Sequence, residues 1–588
     1  MNNKIYRNQK IICIIIKCIM SYPDVTDEDF YEFVNKKYSK YKIPKTKPSL
    51  KQICFPKKYE FQIPQKFVAD FINPKTPYTG LLIYHKIGAG KTCAAVNICE
   101  KFKHKKNILV VVPASLKNNF RAELRSLCAG ENYLTDEERD LLNNKYHPSD
   151  IEYKSIISKS NKRIDKYYNI KSYNKFIEQL KFKTLKLDNT LVIIDEIHNL
   201  ISETGTYYET LYKVFKKSPE SMRLIIMTAT PIFDKPIEIA LTMNLLIRGN
   251  KIPTGKKFYD EFIEEKFSFG RTTYEVKNMD IFKEYIKGYV SYFAGAPTVA
   301  FPKSEIHIVK CEMSNFQLKL YQKVFKKESK NNMPFDPDTT ISNSFYIGTR
   351  LISNFVFPNG KLNIEGFESL GKNDFDTNRL GKYSLKFLKI LRKIKRCQGT
   401  VFVYSNFKEY GGLAILAKML EYHNFKNYEE HGPGRKRFAI WSGDTDDLIK
   451  DEIKNVFNDK NNEFGSELKI ILGSPSVSTG VSFFRVQEVH LLESYWNFSK
   501  IEQIIGRAIR FCSHKDVDLD RQLVKVYIYL SVHPNLDISI DQHILNIAIQ
   551  KQKINIGFER ALKEAAVDCE LFANANNQAG DDKIICEI

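Results

Sequence analysis

Residues 88–92 read Gly-Ala-Gly-Lys-Thr and stand between an apolar run at 81–84 and a helix-compatible run at 93–98. A strand that passes through glycines into a helix leaves a row of backbone N–H groups aimed at one spot, which suits phosphate oxygens. The strand feeding such a loop is buried on both faces, so the chain is confined to folds of parallel strands covered by helices. In this reading Lys91 meets the β/γ oxygens of ATP and Thr92 holds Mg2+. The eight-residue pattern normally opens with glycine; here His85 stands first, with Lys86 and Ile87 between it and Gly88, Ala89 and Gly90. That position lies outside the phosphate cradle, so nucleotide binding is expected to survive the change.

The same apolar rhythm recurs at 108–112, 191–194 and 224–227, and a second series runs through 401–404, 438–441, 470–472, 489–492 and 526–530. Short continuous apolar runs separated by helix-like segments predict parallel strands. Two series predict an α/β protein of two doubly wound lobes. Residues 250–375 lose the rhythm and are broken by Pro253, Gly255, Pro302, Pro334, Pro337 and Pro358, which reads as a mostly helical insert. The expected division is an N-terminal extension at 1–50, an ATP-binding lobe at 51–249, the insert at 250–375, a second lobe at 376–540 and a helical extension and tail at 541–588. The helix expected at 541–570 is amphipathic and is read as a brace for the second lobe.

Lys and Arg number 90 against 69 Asp and Glu, a net charge of +21. Basic surface draws polyanions, though compositional drift gives the same count, and the motifs must decide. Eleven cysteines without a CxxC pair argue against a disulfide framework or a zinc site, and read as small buried residues in a reducing compartment. The run at 11–16 follows Lys4, Arg7 and Lys10 as in a signal peptide, but Lys17 interrupts it and no small-residue cleavage site follows. Met20 is an alternative start, which a native N-terminal mass showing residues 1–19 would eliminate. Nothing reads as membrane-spanning.

Asp195 and Glu196 follow the strand at 191–194, where ligands of open parallel sheets gather. Asp195 is suited to hold Mg2+ and Glu196 to polarise an attacking water. Far downstream, Gln503-Ile-Ile-Gly-Arg507-Ala-Ile-Arg510 offers two arginines three apart, expected one above the other on a helix face. Planar guanidinium forks suit a transferring phosphoryl group.

Taken in order, these residues resemble helicase superfamily 2, which implies that the two lobes are RecA-like. Gln65 matches the upstream adenine-reading glutamine, Lys91 and Thr92 motif I, Ser115 motif Ia, and Ser172 and Tyr173 a further nucleic-acid-facing turn. Asp195 to His198 match motif II in its DExH form, Thr228-Ala-Thr230-Pro motif III, and Tyr404-Ser405 motif IV. Thr479 and Gly480 match motif V and Gln503 to Arg510 motif VI. The resemblance implies ATP contacts from Gln65, residues 85–92 and Gln503. It implies catalysis by Lys91, Asp195, Glu196, Arg507 and Arg510, and coupling through His198, Thr228, Thr230 and Gly480. Nucleic acid would then meet Ser115, Ser172, Tyr173 and Thr479.

Ala229-Thr-Pro-Ile with Glu238, and Trp496-Asn497 before Gln503, look like the Snf2-type branch, whose members move along duplex DNA. Further features are similar to the paired ATPases of poxviruses and other large cytoplasmic DNA viruses. Gly480-Val-Ser-Phe-Phe484 leans toward nucleoside triphosphatase I, and Tyr404-Ser-Asn with Gly411-Gly412 toward the small subunit of the early transcription factor. The resemblance implies a DNA-dependent ATPase of viral transcription, with RNA polymerase or transcription-factor subunits as partners, in the virion and host cytoplasm if viral. An RNA helicase and a scaffold with a vestigial site are the alternatives. Tyr31, Tyr38 and Tyr41 among lysines could stack on bases, but such faces are usually core edge.

Overall fold

The computed structural model describes residues 22–587 apart from 46–47, 87, 147–149, 203–204, 269–270, 330–336, 339–340, 479 and 578–582. Residues 1–19, Ile87 and Thr479 therefore lie outside the described residues. Two parallel sheets organise the molecule. The first contains β1 (Gly80–His85), β2 (Asn107–Val112), β3 (Tyr168–Ser172), β4 (Thr190–Asp195), β5 (Arg223–Thr228) and β8 (Val290–Phe293), in the order β3-β2-β4-β5-β1-β8. Between β5 and β8 the chain forms an antiparallel hairpin of β6 (Ile263–Ser268) and β7 (Arg271–Val276).

The second sheet contains β9 (Lys303–Glu312), β10 (Thr400–Tyr404), β11 (Lys426–Asn427), β12 (Arg437–Trp441), β13 (Ile470–Gly473), β14 (Val486–Leu491) and β15 (Leu523–Val532). Its order is β11-β12-β13-β10-β14-β15-β9. The central strands β1, β4 and β10 are buried at every residue, which is why their sequences are continuous apolar runs rather than alternating ones. Each sheet has a packed core on both faces.

The segment expected as a mostly helical insert does carry helices, at Asn315–Glu328 and Ile347–Asn354, and it also lends a strand to each sheet. β8 borders β1 in the first, and β9 pairs along its whole length with β15 in the second. Strand β9 lies at the sheet edge, is largely exposed and mixes polar with apolar residues, which hid it from a search for continuous apolar runs.

The C-terminal helices tie the lobes together. Helix α4 (Ile540–Glu564) starts at a capping box, Ser539 with Gln542, and runs 25 residues, about 37 Å. Ile540, Ile544 and Ile547 belong to the core of the second lobe, whereas Ile554, Phe558 and Leu562 belong to that of the first. The expected brace for one lobe thus spans both. Helix α5 (Cys569–Asn576) adds Leu571 and Phe572 to the first lobe. Tyr31, Tyr38 and Tyr41 are buried in that same core and do not offer faces for base stacking.

The reading of the cysteines is corrected. Cys54–Cys512, Cys93–Cys128 and Cys569–Cys586 are paired as disulfides, each with Cα atoms 5.6 Å apart. Separations of 458, 35 and 17 residues carry no spacing signature, so only the fold brings the sulfurs together. Among the described residues Cys99, Cys311 and Cys397 are free thiols. No helix among them is long and apolar enough to cross a membrane.

Candidate functional site

A cleft of about 920 Å³ lies between the lobes, within the range of ligand sites. Strands β4, β5 and β1 are neighbours in the first sheet, so Asp195, Thr228 and His85 finish side by side at its carboxyl edge. From β1 the chain turns through Gly88 and Gly90, both at positive φ (85° and 67°), into helix α2 (Lys91–Phe102). The left-handed backbone at Gly90 favours glycine, and a side chain there would displace the Gln65 amide from the loop. Helix α1 (Ile63–Phe71) presents Gln65, whose Nε2 donates to the Gly90 carbonyl at 3.1 Å. Ala89 is buried beneath the loop, and Lys86 lines its rim.

Lys91 Nζ donates to the His85 carbonyl at 3.1 Å. Burial lowers its proton affinity, and Glu196 and Asp195 oppose that. Asp195 is 9% exposed; burial and then the adjacent Glu196 raise its carboxyl, with Lys91 opposing. Its Oδ1 accepts the Glu196 N–H at 3.0 Å. Glu196 itself sits in the left-handed region at φ 50°, a cost that points its side chain into the cleft lining. His198 Nδ1 lies 3.4 Å from Glu196 Oε2, and its ring stacks on Phe233 at 4.9 Å.

The second lobe supplies the facing wall. Helix α3 (Phe498–Ile505) ends at Gly506, so Arg507 and Arg510 lie in the turn after it rather than stacked on a helix face. Two carbonyls and a hydroxyl hold them. Arg507 Nε donates to the Gln503 carbonyl at 3.0 Å and Nη1 to that of Val481 at 3.2 Å; Arg510 Nε donates to Ser482 Oγ at 2.9 Å. Burial, with Arg510 beside it, pulls Arg507 down to about 9. Glu196 across the cleft opposes this at both arginines. Gln503 lines the same wall.

The loop after β5 touches both halves. Thr228 Oγ1 accepts the Thr230 N–H at 3.0 Å, Ser499 of α3 donates to the Ile232 carbonyl at 3.1 Å, and Lys551 of α4 pairs with Asp234 at 2.6 Å. Gly480, at φ 81°, comes so close to Leu116 of the first lobe that a Cβ there would lie 2.6 Å from Leu116 Cδ2. Ser115 follows β2 and Ser172 ends β3, at the far side of the sheet from the Gly88–Thr92 loop, with Ser115 exposed. Tyr173 is turned inward: its hydroxyl donates to the Asp195 and Glu196 carbonyls at 2.5 and 3.0 Å and so anchors the acidic loop.

Several lining residues carried no motif. Lys500, one helical turn before Gln503, is pulled down to about 8 by burial and then by Arg507. Its i, i+3 spacing from Gln503 was the available signal. Phe301 and Phe511 close on Gly88 from the inter-lobe segment and from the residue after Arg510. No sequence pattern foretells that contact.

Residues 64–351 match the family described as SNF2-related domain. A protein of Acanthamoeba polyphaga mimivirus that bears the name of an ATP-dependent RNA helicase is 61% identical over 97% of this chain and 99% of its own length. A helicase-named protein of Invertebrate iridescent virus 3 is 28% identical over 90% of this chain and 55% of its own length. The African swine fever virus protein named termination factor NPH-I homolog is 25% identical over 83% and 76%.

Proposed function

The chain belongs to the SNF2-related branch of the superfamily 2 helicases, whose viral members are its relatives, and from that premise we propose a two-lobe motor that couples ATP hydrolysis to movement along DNA in viral transcription. One observation carries the reading. Lys91, Asp195 and Glu196 of one lobe share a cleft with Arg507 and Arg510 of the other, and Glu196 acts electrostatically on both arginines.

Each side chain then has a task. Gln65 and Gln503 flank the nucleotide, and the loop from Gly88 to Thr92 cradles its phosphates. The residues fit a divalent cation: the buried Asp195 carboxylate, its proton affinity raised, lies in one cleft with Thr92. Mg2+ held there would neutralise charge between the β- and γ-phosphates. Glu196 orients and polarises the attacking water, and the two arginines stabilise charge on the γ-phosphate. Loss of the γ-phosphate loosens the grip between lobes, and the Thr228–Asp234 loop, tied to α3 and α4, passes that change on. DNA would cross the rim marked by Ser115 and Ser172, held through its backbone. The termination-factor name of one relative supports a place in transcription, with polymerase or transcription-factor subunits as partners.

The RNA-helicase name of the mimivirus relative favours a second reading, in which RNA is the track. Steady-state ATP hydrolysis by the protein alone and with single-stranded DNA, duplex DNA or RNA separates the two. Stimulation by DNA that is lost in Glu196→Gln supports the proposal. Stimulation by RNA alone replaces it with the second reading, and hydrolysis by neither route leaves a scaffold.

A further inference from the structure

His85 stands where loops of this kind carry glycine, and its imidazole is fully buried. The ring points away from the cleft. Its Nε2 lies 3.0 Å from Ser291 Oγ on β8. The Ser291 hydroxyl donates in turn to Asp568 Oδ2, and Asp568 Oδ1 accepts the Tyr292 N–H at 2.9 Å. Asp568 is fully buried at the junction of α4 and α5. Burial pushes the Asp568 carboxyl up to about 7; in its ionised form it takes the Ser291 proton, the serine's lone pairs face the imidazole, and Nε2 carries the histidine's proton. Nδ1 is then a bare acceptor, buried and without a hydrogen-bond partner among the described residues. On the main-chain side the His85 carbonyl receives Lys91 Nζ. One residue thus joins a carboxylate of the C-terminal helices to the lysine of the phosphate loop.

A purely structural origin explains this poorly. Three polar groups from segments 206 and 277 residues apart have been taken out of water together, and an apolar trio would pack there without that cost. The surroundings are arranged to hold the chain of bonds still. Val567 N–H donates to the Val290 carbonyl at 2.8 Å, and the Ala294 N–H donates to Asn576 Oδ1 at 2.9 Å, so the C-terminal helices clasp β8 on both sides of Ser291.

We propose that Asp568 is a positioning residue of the ATP site, acting through Ser291 to fix His85 and thereby the resting place of Lys91. The C-terminal helices then set how well the phosphate loop takes nucleotide. This rests on the reading of Lys91 as the side chain that grips the phosphates. The chain of bonds is polar rather than ionic at the histidine, which burial holds down at about 3 and therefore neutral. It also begins on the structure that senses the other lobe: α4, rooted in the second core and tied by Lys551 to Asp234, leads directly to Asp568.

The test is steady-state ATP hydrolysis and equilibrium ATP binding by the full chain carrying Ser291→Ala, Asp568→Asn, His85→Gly, and each of the first two combined with His85→Gly. Ser291→Ala removes a single hydroxyl, so it keeps the test open if Asp568→Asn folds poorly. Both substitutions should weaken ATP binding and raise KM about tenfold, the worth of one buried hydrogen bond, with kcat changed less than about threefold. In the His85→Gly background the same substitutions should change affinity less than about twofold, since the chain of bonds no longer reaches the loop. Equal effects in both backgrounds, or no change in affinity from either single substitution, would overturn the proposal. Lys91→Ala is run beside them: undiminished hydrolysis there removes the Lys91 reading itself, whereas its loss with unmoved affinities in Ser291→Ala and Asp568→Asn sinks the positioning role alone.

Discussion

Lys551, in the middle of the long C-terminal helix, pairs through Nζ with Asp234 Oδ1 at 2.6 Å, just past the Thr228-Ala-Thr-Pro turn. The lysine is almost wholly buried and the aspartate about one-fifth exposed. A helix rooted in the second lobe is thereby fastened to the loop after β5, which lines the cleft between the lobes.

Cutting that tie should uncouple the machine before it stops it. Lys551→Met keeps the stem's volume and leaves Asp234 without its cation, at a cost of about 1–3 kcal/mol given the aspartate's partial exposure. A lowered melting temperature with basal hydrolysis largely kept and nucleic-acid stimulation largely lost is the expected pattern. Full stimulation in this variant would show that the pair is only a fastening.

The facing groups of the cleft should fail in distinct ways. Glu196→Gln is expected to slow turnover by about 10²–10⁴ while ATP still binds, because in the proposed mechanism it removes the group that polarises water. Arg507→Ala should cost about 10³–10⁵ in turnover if, as proposed, its charge from the opposite lobe stabilises the transferring phosphoryl group. Single-turnover hydrolysis alongside nucleotide binding distinguishes these from a collapsed site.

Stability should carry a pH signature from Glu238. Its Oε2 accepts the Phe233 and Asp234 N–H groups at 2.7 and 3.0 Å, yet burial still pushes it up to about 7. A carboxyl whose folded value is raised keeps its proton in the native state after the unfolded chain has lost it. Stability is therefore greatest below the ordinary value near 4.5 and declines as pH climbs to about 7, by on the order of 1–3 kcal/mol. Denaturant melts of the native chain and Glu238→Gln between pH 4.5 and 7.5 should diverge in that direction; parallel curves would remove the assignment.

The Cys54–Cys512 bridge joins the start of the first lobe to a residue two past Arg510. Reducing it, or substituting Cys54→Ser, should lower stability by about 2–4 kcal/mol. If lobe opening limits turnover, hydrolysis should speed up under a dithiol reductant in the native chain and not in Cys54→Ser. Equal response of both proteins would mean that the bridge does not govern the cleft.

The cleft was legible because its chemistry is local in sequence. Glycines at 88 and 90, Lys91, and the Asp195-Glu196 pair each follow a strand, and strand ends are where the fold places ligands. What remained hidden depended on contacts between distant segments. The amphipathic pattern of α4 announces a helix but does not say that its two halves enter different cores. Tyr173 looks like a surface residue until the fold brings its hydroxyl to the Asp195 carbonyl. The arginines follow helical spacing, but Gly506 ends the helix first. Cysteine pairing is a property of space rather than spacing, and His85 read as a tolerated departure because Ser291 and Asp568 are remote in the chain.

Helix α4 has one further consequence, for anyone who would divide the molecule. A cut after residue 540 would open a seam in each lobe, exposing the bed of Phe558 and Leu562 in one and that of Ile544 and Ile547 in the other. Neither piece should then dissolve well by itself, and mixing them should not restore the whole. The two lobes have separate sheets but a shared keel.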